Sequence, residues 1–164
     1  MFPRRSSYSY SLTWLTPARK TSGMTDEPLT GSCLCGGVRY ELTEPLTGAS
    51  YCHCTRCQRR TGTAASANAA AAPGSLRITA GEELVAGWDP GDGRAVKCFC
   101  TRCGSALWSH NPTTGGYGVR LGTLDRDPGI RPELHQYVAY AAAWEPIPDD
   151  GLPRYPERRP SNYP

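Results

Sequence analysis

Cys52-His53-Cys54-Thr55-Arg56-Cys57 and Cys98-Phe99-Cys100-Thr101-Arg102-Cys103 repeat one pattern, C-x-C-x-x-C, within a chain of 164 residues. Cys33 and Cys35 add a C-x-C, so the eight cysteines fall into three tight groups. Thiolates bind zinc in tetrahedral sites, and short turns present two of them to one ion. Vicinal spacing is awkward for disulfides, and nothing in the chain indicates secretion. Iron–sulfur ligation is an alternative that spacing alone leaves open.

Pairing Cys33 and Cys35 with Cys100 and Cys103 closes one four-thiolate zinc site. With no open position, that site is structural, and its binding energy is part of the folding energy. Cys52, Cys54 and Cys57 supply three ligands of a second site, whose fourth position decides the biology. Water or a substrate thiol there leaves the metal available for chemistry. Cys98 there makes the site closed and inert. Cys98 shares strand parity with Cys100, and it can equally point into the core as a small hydrophobe. His53, between two cysteine ligands, reads as a solvent-facing knuckle residue in preference to a ligand or proton shuttle. His110 and His135 stand outside any ligand spacing and read as surface or outer groups.

Outside the cysteines, 18 Gly and 15 Pro punctuate the chain, while 38% of it is hydrophobic. Such punctuation excludes a long coiled coil and disfavours a helix bundle. Val38, Tyr40 and Leu42 alternate with polar residues, as do Leu76 and Ile78, then Leu84, Ala86 and Trp88, then Tyr117, Val119 and Leu121. Leu134, Gln136, Val138 and Tyr140 predict one face of a last strand, anchored by Trp144. Thr63 to Ala72 is rich in small residues and fits either a short helix or a close-packed strand. The reading is a mainly β domain of short strands over 24–155, with a flexible extension over 1–23 and a tail over 156–164. The net charge of +3 is too mild to argue for nucleic acid. No run reaches the length of a membrane span, and Met1 to Ser22 lacks the apolar centre of a signal peptide. A cytoplasmic protein is expected; a homo-oligomer is allowed.

Gly31-Ser32-Cys33-Leu34-Cys35-Gly36-Gly37-Val38-Arg39-Tyr40 and Cys52-His53-Cys54-Thr55-Arg56-Cys57-Gln58-Arg59-Arg60-Thr61-Gly62 resemble the opening motifs of the glutathione-dependent formaldehyde-activating enzyme family, which includes centromere protein V. Phe99-Cys100-Thr101-Arg102-Cys103-Gly104-Ser105, Gly122-Thr123-Leu124-Asp125 and Trp144 resemble its later motifs. The resemblance implies an Mss4-like zinc-binding fold built of short antiparallel sheets. It also implies a structural zinc on Cys33, Cys35, Cys100 and Cys103, and a catalytic-type zinc on Cys52, Cys54 and Cys57. The implied chemistry adds a thiol such as glutathione to an aldehyde such as formaldehyde, or breaks that carbon–sulfur bond as a lyase. Arg56, Arg59 and Arg60 are candidates to hold the carboxylates of glutathione or another thiol; the plain alternative is a solvated basic edge. Two other functions compete: a non-catalytic zinc module that contacts another macromolecule, and a zinc enzyme acting on another sulfur-containing metabolite.

Overall fold

Period-two alternation along the chain becomes two sheets. The structure, a computed structural model, describes residues 27–160. The expected extension over 1–23 lies outside the described residues, as do 161–164 of the expected tail. The elements are β1 (Leu29–Ser32), β2 (Arg39–Leu42), β3 (Thr47–Cys52), α1 (Thr55–Thr61), β4 (Ser66–Ala71), β5 (Leu76–Ala80), β6 (Val85–Trp88), β7 (Val96–Cys100), β8 (Ala106–His110), β9 (Tyr117–Arg120), β10 (His135–Gln136) and β11 (Arg154–Tyr155). The small sheet runs β1-β2-β5 and the large one β11-β10-β3-β4-β9-β8-β7-β6. Neighbours are antiparallel except β10, which is parallel to both β3 and β11. The protein is therefore mainly β.

Alternation also gives the large sheet two unlike faces. Ala69, Val119, Trp108 and Cys98 lie opposite one another on successive strands; the first three belong to the apolar core and Cys98, partly buried, packs against it. Tyr40 of the small sheet meets Trp108 edge-on, with ring centroids 5.2 Å apart, so the two sheets share that core. The alternate positions carry polar residues: Asn68 faces Arg120, Gly118 faces Ser109, and Ser109 faces Lys97. This second face holds the site described below.

The alanine-rich stretch resolves as strand β4. It is flanked by β3 and β9, and its Ala69 and Ala71 are buried. Backbone pairing on both sides overrides the helical propensity of alanine. The expected last strand over Leu134 to Tyr140 is cut to His135–Gln136. Tyr137 turns into the left-handed region at φ 60°, and Val138–Tyr140 forms a 3-10 turn. The neighbouring β11 ends against Pro156, which has no N–H to extend the ladder. Trp144 is 69% exposed and anchors nothing in the core. Backbone bonds continue past Tyr155, since Ala139 N donates to Pro156 O and Tyr137 N to Glu157 O.

Gly81 sits at φ +72°, and a Cβ there would stand 2.0 Å from the Gly37 carbonyl oxygen in the β1–β2 turn. Gly62 has a similar φ of +69° with open space around it. Gly62→Ala should cost about 1–2 kcal/mol, the left-handed penalty alone. Gly81→Ala should cost at least about 1 kcal/mol more in the same denaturant titration, because it adds a clash with backbone. Equal costs would contradict the close approach of these two turns.

Candidate metal centres and the adjoining cavity

Two hairpins bring the first four thiols together. Cys33 and Cys35 lie in the turn after β1, Cys100 ends β7, and Cys103 lies in the turn to β8. Their sulfurs all lie within 4.8 Å of one another. Cys33 and Cys35 Sγ are 3.4 Å apart, and Cys35 and Cys100 Sγ 3.9 Å. A tetrahedral zinc with sulfurs at about 2.3 Å would space them about 3.8 Å apart, so the donor set fits that ion. Local backbone bonds preset the turns. Gly36 N donates to Cys33 O, Val38 N to Cys33 Sγ, and Gly104 N to Cys100 O. Leu34 N donates to Ser105 Oγ at 2.9 Å and ties the two turns to each other. Hydrogen bonds from the Ser105 hydroxyl and backbone bring the Cys103 thiol down to about 5, which favours the thiolate that a metal needs.

The second group forms where β3 runs into α1. Cys52 is the last residue of β3, Cys54 caps α1, and Cys57 is in its first turn. The three sulfurs lie within 4.8 Å of one another. Cys54 Sγ accepts from Cys57 N at 3.4 Å. Hydrogen bonds from the Cys52 and Cys57 thiols hold Cys54 far below the ordinary thiol range, and donation to Cys54 pushes Cys52 up. Three soft donors with no carboxylate among them suit zinc rather than a hard cation. All eight cysteines are free thiols.

Cys98 belongs to neither group. The shared parity with Cys100 is real, but it sends Cys98 to the core face beside Trp108 and Val119, whereas Cys52 and Lys97 border a cavity on the opposite side. Counted among the metal residues from the sequence, Cys98 lies outside both thiol groups here and packs against the core as a partly buried small hydrophobe. His53 is corrected, since it is buried at 4% exposure. Its Nε2 lies 2.8 Å from His135 Nδ1, and His135 Nε2 lies 3.0 Å from Asp150 Oδ2. A carboxylate only accepts, so His135 donates through Nε2, and its Nδ1 shares one proton with His53 Nε2. Burial, then the neighbouring His135, lowers the His53 pKa and keeps it neutral. His135, read as a surface or outer group, is 2% exposed and stacks on Tyr51. This chain of bonds buttresses the cysteine loop from behind.

The three arginines separate. Arg56 borders the cluster and pairs with Asp92 at 2.6 Å. Arg59 is exposed and lines neither cavity at the cluster. Arg60 turns under the sheet, where it donates to the carbonyls of Cys98 and Trp108. Burial and the nearby Arg120 bring it down to about 10. Two cavities meet at Cys52 and Cys57. One, of about 320 Å³, also reaches Cys54, Arg56 and Tyr140. The other, of about 660 Å³, extends over the polar face to Asn68, Ser109 and Arg120. Arg94, Lys97 and Tyr137 border both. The sequence reading missed Lys97, Arg120 and Tyr137. Alternation around Val96, Cys98 and Cys100 could have placed Lys97 on the opposite face, whereas the turn at Tyr137 has no local signal. Asp125 accepts from Ser32 Oγ and ties the late loop to β1.

A mainly β frame with one four-thiol and one three-thiol group defines a class of small cysteine-rich metal-binding domains. The sequence profile of the glutathione-dependent formaldehyde-activating enzyme family matches residues 28–140, and the chain belongs to that family, with its Mss4-like fold. A crystal structure of a Rhodobacter sphaeroides protein is similar at a TM-score of 0.53 and 27% identity, covering 77% of this chain and 99% of that one. No curated protein matches the chain.

Metal analysis of purified protein should find two zinc ions per chain. Cys54→Ala should lose one and keep the fold. Cys35→Ala should lose the other and with it several kcal/mol of stability, as expected for a structural site. Cys98→Ala should keep both ions and cost about 1 kcal/mol; loss of an ion in that variant would restore Cys98 as a ligand.

Proposed function

We propose that this chain is a zinc-dependent enzyme that joins a small thiol to an aldehyde, or breaks such an adduct as a carbon–sulfur lyase. Cys52, Cys54 and Cys57 hold the working metal, and glutathione or another small thiol is the sulfur substrate. The observation that carries this reading is the three-thiol group at the junction of two open cavities, with the remaining cysteine of that region turned into the core. Zinc held by three thiolates supplies Lewis acidity, which lowers the pKa of a thiol or polarises a carbonyl oxygen beside it.

The protein's own groups do the rest. In the forward direction a carbon–sulfur bond forms, the carbonyl becomes a hydroxyl, and the proton lost by the thiol ends on that oxygen. Burial pushes the Tyr137 phenol up, so it stays protonated at neutral pH. Tyr137 borders both cavities, and its phenol is the group proposed to donate to the oxygen on which charge develops. Gln58 Nε2 donates to the carbonyls of His53 and Tyr140, fixing the cysteine loop against the segment that carries Tyr137. Family membership supports the reaction class. The free thiols suit a reducing, cytoplasmic setting.

Aldehyde-dependent consumption of thiol tests the proposal. The wild type should turn over, and Cys54→Ala should lose more than about 100-fold of the rate. Two bound zinc ions with no thiol-dependent turnover across a broad aldehyde panel would refute the enzyme reading. Equal rates in Cys54→Ala would refute the assigned role of the cluster.

A further inference from the structure

Three cationic side chains converge on one hydroxyl beside the three-thiol group. Lys97 Nζ is 3.4 Å from Ser109 Oγ, while Arg60 Nη1 and Arg120 Nη2 are each 3.5 Å from it. These contacts are long, and one oxygen with two lone pairs cannot satisfy three charged donors. Among the described residues, none of the three pairs with a carboxylate. Arg60 is already committed to two backbone carbonyls. Lys97 and Arg120 are not. Arg120 is only 6% exposed, its Nη1 reaches Ser66 Oγ, and its Nε is buried with no partner at all.

Lys97 and Arg120 both border the 660 Å³ cavity, together with Cys52 and Cys57, and no acidic residue lines it. A zinc ion with three thiolates would carry a single net negative charge, too little to offset three cations, of which Arg120 is buried and Arg60 and Lys97 half-buried. Buried charges without partners are costly, and buried donors without acceptors persist where a ligand supplies the acceptor.

We propose that Lys97 and Arg120, bracketing Ser109, form an oxyanion subsite that seats a carboxylate of the ligand whose other end meets the three-cysteine group. The second half of that statement rests on the reading given under Proposed function; the subsite itself rests on the cation cluster. It replaces Arg59 and Arg60 as the groups that read ligand charge. A cation paired with a carboxylate in a partly dry cavity favours the charged ligand by about tenfold or more.

Calorimetric titration of the zinc-loaded protein with 3-mercaptopropionate and with 3-mercapto-1-propanol tests it, since the two differ in the carboxylate alone. The wild type should bind the carboxylate about tenfold more tightly. Lys97→Gln should abolish that preference, and Lys97→Arg should keep most of it, with thermal melting confirming that both are folded. Equal affinity of the wild type for the two thiols would overturn the proposal, whether or not the variants fold. A preference unchanged in folded Lys97→Gln would overturn it too. Cys54→Ala separates the two readings. If the cysteine group does not take thiols, the variant should match the wild type for both ligands, and a persisting Lys97-dependent preference for the carboxylate supports the subsite. If the subsite is wrong, Cys54→Ala weakens both thiols alike while Lys97→Gln changes nothing.

Discussion

The convergence of Cys33, Cys35, Cys100 and Cys103 is the constraint on which the rest of the structure depends. These residues lie on two hairpin turns, one from each sheet, separated by about two thirds of a hundred residues of chain. The core between the sheets is modest, built around Val38, Tyr40, Leu107, Trp108 and Val119. Many of its other members are alanines and cysteines, which bury little apolar surface each. A metal across those turns would bind the folded chain far better than the unfolded one and so add directly to folding stability. It would also fix where β7 starts its return, and hence which residues of β7 and β8 face the core.

From that anchor, strand alternation sorts the chemistry. Core residues of β4, β9, β8 and β7 form one row, and their neighbours Asn68, Arg120, Ser109 and Lys97 form the other. Cys52 lies at the end of β3, opposite Ser66 and Gln136 on the two flanking strands. The sheet therefore separates a dry face that holds the fold from a polar face that borders the larger cavity. His53 and His135 belong to the reverse side and stiffen the loop that carries Cys52 and Cys54. One residue of displacement in register would exchange these faces.

Much of this was legible in the sequence, because the cysteine spacing and the period-two runs are local patterns. The two groupings of thiols, the strands around Tyr40 and Val119, and the mainly β class all follow from short windows of residues. The polar side of the site was not legible, for physical reasons. Arg60 looked like one of three equivalent basic residues, yet the turn of α1 carries it beneath the sheet and its neighbours away. His135 and Asp150 meet through a parallel pairing of two-residue strands, which has no signature in composition. Tyr137 reaches the cavity through a left-handed backbone that no residue type announces. Cys98 shows how a correct local reading can mislead: its parity with Cys100 holds, and it directs the side chain away from the second thiol group.

The central claim is that the three-cysteine group binds zinc with a position left open to a ligand. A zinc-edge anomalous crystal structure of the metal-loaded protein tests it most directly. Two anomalous peaks are expected, one bound by Cys33, Cys35, Cys100 and Cys103, the other by Cys52, Cys54 and Cys57 with a non-protein ligand completing the shell. A second peak closed by Cys98, or no second peak at full zinc loading, would contradict it.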